Sequence, residues 1–159
     1  MKYSAASFGD FRCAHCRNIV PAAHVVSGVN NRNHCPYCLW SCHLDLFVAG
    51  DRLSACKGQM KPLGLTMKKG RNKYRLGAQA RGELMLIHGC IECGTLSINR
   101  IAADDHPDSV MDVFHQSRSL SRQIRADCES QGILLLEEEE SVTLQLYGGQ
   151  VELPALEWS

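Results

Sequence analysis

The strongest short apolar run is residues 83–88 (ELMLIH), a length that suits a β-strand. A cysteine turn follows at Cys90-Ile91-Glu92-Cys93, and Gly94 just past it supplies the positive φ such a turn needs. Leu96, Ile98 and Arg100 then alternate with polar neighbours across residues 95–101, which predicts a second strand. Residues 39–48 gather Leu39, Trp40, Leu44, Phe47 and Val48, an apolar set that predicts a short helix. From 52 to 81 glycine recurs at 58, 64, 70 and 77, too often for a long helix; loops with one short strand are expected.

The last third changes character. Val110, Val113, Phe114, Leu120 and Ile124 stand at roughly helical spacing, with Asp108 near the start and Gly132 at the end, so one helix is predicted over 108–131. The four glutamates 137–140 read as a solvated turn, with a cover for a basic face as the alternative. Residues 141–147 (SVTLQLY) alternate, and Gly148-Gly149 with residues 151–153 would complete a β-hairpin. The expected architecture is α+β: a small metal-stapled domain over residues 8–106, followed by a helix-and-hairpin extension over 107–159.

Composition sharpens this picture. Of 159 residues 45% are apolar and 21% charged, a globular balance that excludes a mostly disordered or collagen-like chain. No run approaches the roughly 18–20 apolar residues of a membrane span, and the first residues lack the apolar core of a signal peptide. A cytosolic protein is therefore expected, where nine cysteines point to metal thiolates rather than disulfides. The formal net charge of zero conceals an asymmetry of +10 over residues 1–81 and −10 over 82–159. Nine Lys or Arg and no acid fall between Arg52 and Arg81, which suits a polyanion.

The cysteines carry the clearest chemistry. Cys13-x2-Cys16-x18-Cys35-x2-Cys38 has four-cysteine zinc spacing: two sulfurs share one ion across a tight turn, and two turns complete a tetrahedron. Cys90 and Cys93 require two further donors. Cys56 is the natural third, and His43 or His88 the fourth, with the pattern favouring His43. Strand, cysteine turn, strand is also the local plan of a zinc ribbon. Two Zn²⁺ ions are expected, with iron the competing metal; a redox CxxC at Cys90 is the competing chemistry. Cys42 and Cys128 remain as plain thiols, and His15, His24, His106 and His115 as ordinary histidines.

The residues around the second cysteine pair are recognisable. Arg32-Asn33-His34-Cys35-Pro36 spells the motif of the RNHCP-domain family, small bacterial proteins. The likeness continues through Cys35-Pro36-Tyr37-Cys38-Leu39, Ser41, His43-Leu44-Asp45, Gly50-Asp51-Arg52, Cys56-Lys57-Gly58, Met60 and Pro62. It extends to His88-Gly89-Cys90-Ile91-Glu92-Cys93-Gly94 and Asn99-Arg100-Ile101-Ala102-Ala103-Asp104-Asp105, so the chain resembles the family over about residues 8–106. The resemblance implies a zinc-binding module and leaves its biochemical role open.

Three functions compete at this point. The first is a non-enzymatic zinc module that contacts RNA, ribosomal or ribosome-associated, through Arg32, Asn33, Lys61, Lys68, Lys69, Arg71, Lys73, Arg75 and Arg100. Internal support is the plainer reading of the knuckle residues: His34 or Asp45 orienting ligands, and Arg52 pairing with Asp104 or Asp105. The second is a treble-clef nuclease with His34 as general base and Asp104 and Asp105 holding a divalent ion. The third is a zinc-held protein-interaction module.

Overall fold

The computed structural model describes residues 10–29, 32–47, 51–68 and 82–147. Two short strands, β1 (Phe11–Arg12) and β2 (Ile19–Val20), flank the first cysteine turn and pair antiparallel. A four-residue helix α1 (His24–Ser27) follows. The main sheet is an antiparallel meander of β3 (Ser41–Cys42), β4 (Gln59–Lys68), β5 (Glu83–Cys90) and β6 (Leu96–Arg100), in that order.

β5 and β6 lie where the apolar run and the alternation predicted them. β4 is a correction: a ten-residue strand runs through a segment expected to be mostly loop. Its Pro62 and Gly64 are absorbed by a register shift, with Pro62 opposite His88 and Gly64 opposite Ile87. β3 pairs only with Gln59 and Met60, so beyond them β4 is an edge strand, where a proline without an N–H is tolerated. The Leu136 N–H donates to the Leu65 carbonyl at 2.8 Å and covers part of that edge.

Residues 39–47, the described part of the expected helix over 39–48, are not helical. Leu39 ends a cysteine turn at φ 64°, Ser41–Cys42 is strand, and the described residues that follow are extended or bent. The apolar set there is split by position: Leu39 fills the core while Phe47 is exposed.

Among the described residues three helices follow: α2 (Pro107–Ser117), α3 (Arg122–Ser130) and α4 (Glu139–Tyr147). The single predicted helix over 108–131 is thus two. Ser121 breaks it, turning extended and accepting the Ile124 N–H on its hydroxyl at 3.3 Å as an N-cap. The expected hairpin is also corrected, because residues 141–147 are helical. Alternation also places Val142 and Leu146 one turn apart, and both pack into the core while Glu139 and Glu140 occupy the favourable first turn. Residues 148–159, including the expected partner strand, lie outside the described residues.

Both sheet faces are covered. Leu65, Leu84 and Leu86 pack on Val110, Val113 and Phe114 of α2 and Val142 of α4. Leu63 and Ile87, on the other face, pack on Cys128 of α3 with Leu120, Ile124, Ile133 and Leu135. One end of the meander, where β3 begins and β5 turns into β6, is left to the cysteines.

Candidate metal centres

Three cysteine turns share one backbone plan. In each, the first cysteine's N–H bonds a carbonyl five residues on: Cys13 to Asn18 at 2.8 Å, Cys35 to Trp40 at 3.0 Å, Cys90 to Thr95 at 2.9 Å. The N–H four residues on returns to the cysteine's carbonyl, from Arg17, Leu39 and Gly94, each at 2.9 Å. Those three residues have φ of 69°, 64° and 78°. Only the third turn carries the glycine such a φ favours.

The turns bring Cys13, Cys16, Cys35 and Cys38 into one group and His43, Cys56, Cys90 and Cys93 into another, each with ligand atoms within 4.8 Å of one another. Metal–sulfur bonds of about 2.3 Å at the tetrahedral angle require sulfur–sulfur edges of about 3.8 Å. The Cys13–Cys38, Cys16–Cys35 and Cys56–Cys90 sulfurs stand 3.6 Å apart. Cys93 Sγ lies 3.4 Å from His43 Nδ1, near the roughly 3.5 Å expected of a mixed sulfur–nitrogen edge. Both groups therefore fit a four-coordinate ion, and the chain can hold two metal ions.

Electrostatics favours the same occupant. Four crowded sulfurs cannot all ionise unaided. The Cys38 side chain, hydrogen-bonded to Cys35, draws that thiol down to about 5 against its desolvation, and the same bond pushes Cys38 up. A dication resolves this conflict by taking every thiolate at once. Turn amides are already aimed at the sulfur charge: the His15 and Cys16 N–H groups at Cys13, the Tyr37 N–H at Cys35. In the second group the Thr95 hydroxyl, 3.2 Å from Cys93, lowers that thiol to about 6. Thr95 and the Asn18 amide on Cys16 were not singled out in the sequence; a hydroxyl or amide two residues past a ligand is the available signal.

His43, not His88, stands with the second group. His88 is fully buried, donating from Nε2 to the Leu39 carbonyl at 2.7 Å and accepting the Asn99 amide on Nδ1 at 2.8 Å. Burial, with His34 nearby, lowers its pKa to about 3, so it is a neutral core histidine. Cys56 reaches Cys90 only because Gly58 has no side chain, since a Cβ there would meet Glu92 at 2.6 and 2.9 Å and the Cys90 sulfur at 3.0 Å.

The Arg32–Pro36 pentapeptide is internal wiring. Arg32 is buried, donating to the Pro21 and His34 carbonyls and pairing with Asp104 at 2.8 Å and Asp105 at 3.6 Å. The Asn33 amide donates to Asp45 at 3.2 Å and its carbonyl accepts from Arg52. His34, also buried, meets Asp105 at 2.7 Å, Cys35 belongs to the first donor group, and the Pro36 carbonyl accepts the His106 N–H. The motif thus ties one metal turn to the turn before α2. A comparison with family models finds the RNHCP domain over residues 8–111.

The chain belongs to the RNHCP family. No curated protein and no solved structure matches it. The RNHCP motif's geometry corrects two expectations. Arg32, which stands beside Asp104 and Asp105 where Arg52 was expected, is spent inside the protein, and Asn33 is half-buried with its amide and carbonyl both engaged by Asp45 and Arg52. His34 and Asp105 are bonded to one another and Asp104 to Arg32, an arrangement of structural ion pairs rather than a base beside an open cation site. Among the other candidate nucleic-acid contacts, Lys61 and Lys68 are exposed on β4, and Arg100 is exposed but paired with Glu83 at 2.8 Å. Lys69, Arg71, Lys73 and Arg75 lie outside the described residues. A cleft of about 220 Å³ between the segment after β3 and the β6 strand adjoins the second metal group, lined by His43, Asp45, Met60, Ser97 and Asn99 among others.

Proposed function

We propose that this RNHCP protein is a non-catalytic zinc module whose two Zn²⁺ ions order one end of the sheet and whose β4–β5 connection contacts RNA. The observation that carries the zinc reading is the pair of tetrahedral donor sets, Cys₄ and Cys₃His. Tetrahedral thiolate-rich sets of four protein ligands suit Zn²⁺ in closed, structural sites. Each ion can supply on the order of 10 kcal/mol of folding free energy. The RNA reading is supported by charge: the acid-free stretch from Arg52 to Arg81 spans β4 and the link to β5, with Lys61 and Lys68 exposed on the strand. Lys69, Arg71, Lys73 and Arg75 follow directly, interleaved with Gly70, Gly77 and Tyr74, a composition suited to a phosphate backbone.

Elemental analysis of the purified chain should return two zinc ions, and strong chelation should abolish its cooperative unfolding. Ribosomal RNA should retain the loaded protein at low salt and release it at high salt. Joint charge reversal of Lys68, Lys69 and Arg71 should flatten that salt dependence by about three counterions. Retention indifferent to that reversal sinks the RNA reading. Zinc-replete protein with no RNA retention at any salt leaves a protein-interaction module in its place.

A further inference from the structure

The two centres are unequally protected. In the first, Cys13 and Cys35 are 5% and 1% exposed, and Cys16 and Cys38 are half-buried. Trp40 stacks on His15 of that turn, ring centroids 3.9 Å apart and planes within 6°. In the second, His43 and Cys90 are buried, but Cys56 and Cys93 are exposed. Those two differ in mounting as well. Cys93 sits in the turn between β5 and β6, whereas Cys56 hangs on the link from β3 to β4, outside regular structure. Among the link's described residues, Asp45 accepts the Arg52 N–H and Asp51 those of Leu46, Phe47 and Leu53, while the Cys56 N–H donates to the Ser54 hydroxyl at 3.2 Å.

We infer that the second centre is a peroxide-oxidation site at which Cys56 and Cys93 form a disulfide and expel one zinc ion while the first centre keeps its own. This rests on the zinc reading above and deepens it. The reagent is a hydroperoxide. One exposed thiolate attacks the peroxide oxygen, the O–O bond breaks, and a sulfenate and water result. One proton turns the sulfenate into a sulfenic acid, the second thiolate displaces hydroxide from it to form the S–S bond, and a second proton takes that hydroxide to water. Two thiolates, one hydrogen peroxide and two protons thus give one disulfide and two waters, with sulfur oxidised and peroxide oxygen reduced. The Cys56 and Cys93 sulfurs start within 4.8 Å of each other, and Cys56, exposed and outside regular structure, can supply the approach to bonding distance. Only His43 and Cys90 then remain as donors, too few to hold a structural zinc ion. Reduction and fresh zinc reverse the change.

The test uses the full chain with its zinc counted beforehand, hydrogen peroxide as oxidant and a chromogenic chelator as reporter. One equivalent of zinc should appear first, at least about tenfold faster than the second. Peptide mapping after thiol blocking should find a Cys56–Cys93 disulfide at that stage and Cys13, Cys16, Cys35 and Cys38 unmodified. Dithiothreitol with zinc should restore two ions per chain. Cys42→Ser should leave the first phase unchanged, since the neighbouring Cys42 takes no part. Two ions leaving together, first-phase oxidation of the Cys₄ set, or loss of the first phase in Cys42→Ser each overturn the inference while leaving the zinc reading intact. A purified chain without zinc overturns both.

Discussion

Leu39 shows how much one residue can carry. It holds a left-handed φ of 64°, which an amino acid with a side chain adopts at some cost, yet its side chain is fully buried in the main core and its carbonyl accepts the His88 Nε2–H. Packing offsets the strain. Arg32 is the polar counterpart, a buried guanidinium whose charge is met by Asp104 and Asp105. Asp105→Ala should cost about 3–5 kcal/mol, because it strands His34 and the Ala102 N–H in the interior and leaves Arg32 paired with Asp104 alone; denaturant unfolding of the zinc-loaded protein measures it. Gly58→Ala should act locally, expelling the Cys56 link from Cys90. Zinc content should fall from two ions towards one with the β-sheet signal retained, and an unchanged two would refute the role given to Gly58. His88 makes stability depend on pH. Its folded pKa is depressed to about 3 from the ordinary 6.5, so the unfolded chain binds the proton more readily and its contribution is complete only above about 6.5. Relative to a His88→Gln variant, the wild type should lose about 0.8 kcal/mol between pH 7.5 and pH 6.

At the scale of elements, β4 depends on a close crossing. A Cβ on Gly64 would sit 2.7 Å from the Leu135 side chain and 3.1 Å from Cβ of Ser117 at the end of α2. Gly64→Ala should therefore destabilise by about 1–3 kcal/mol, and Leu135→Ala in the same chain should relieve part of that cost, a non-additivity that thermal melts of the four proteins can read. The same strand explains what the sequence did and did not disclose. β5 and β6 were legible because their patterns are local. The grouping of the paired cysteines was legible because two-residue spacing is itself the geometry. β4 was not, since its glycine and proline make sense only against a register shift and a neighbouring helix. Nor was α4: Val142, Leu144 and Leu146 satisfy a strand and a helix alike, and the choice falls to which neighbour buries Val142. Arg32 and Asn33 looked like recognition groups because their partners, Asp104, Asp45 and Arg52, are distant in sequence or undistinguished in type.

At the scale of the molecule, the donor groups and the apolar core occupy different parts of the sheet. One end of the sheet has two donor sets in place of a hydrophobic cluster, and the rest is held by α2, α3 and α4 on its two faces. The family match ends at residue 111, inside α2, before Val113 and Phe114 reach the core. A chain stopped there keeps all eight ligands but loses Val113, Phe114, Cys128 and Val142, so Leu65, Leu84, Leu86 and Ile87 would face water. Burying residues of this size contributes about 1.5–3 kcal/mol each, which makes the loss comparable with a whole domain's net stability. Residues 1–111 should accordingly still take up two zinc ions, since the cysteine turns are closed by their own backbone bonds, yet expose apolar surface to a hydrophobic dye and melt without a cooperative transition. Residues 1–147 should melt as one transition. If the shorter fragment unfolds cooperatively near the full chain's midpoint, the helices contribute far less than their packing implies, and the metal centres alone hold the sheet.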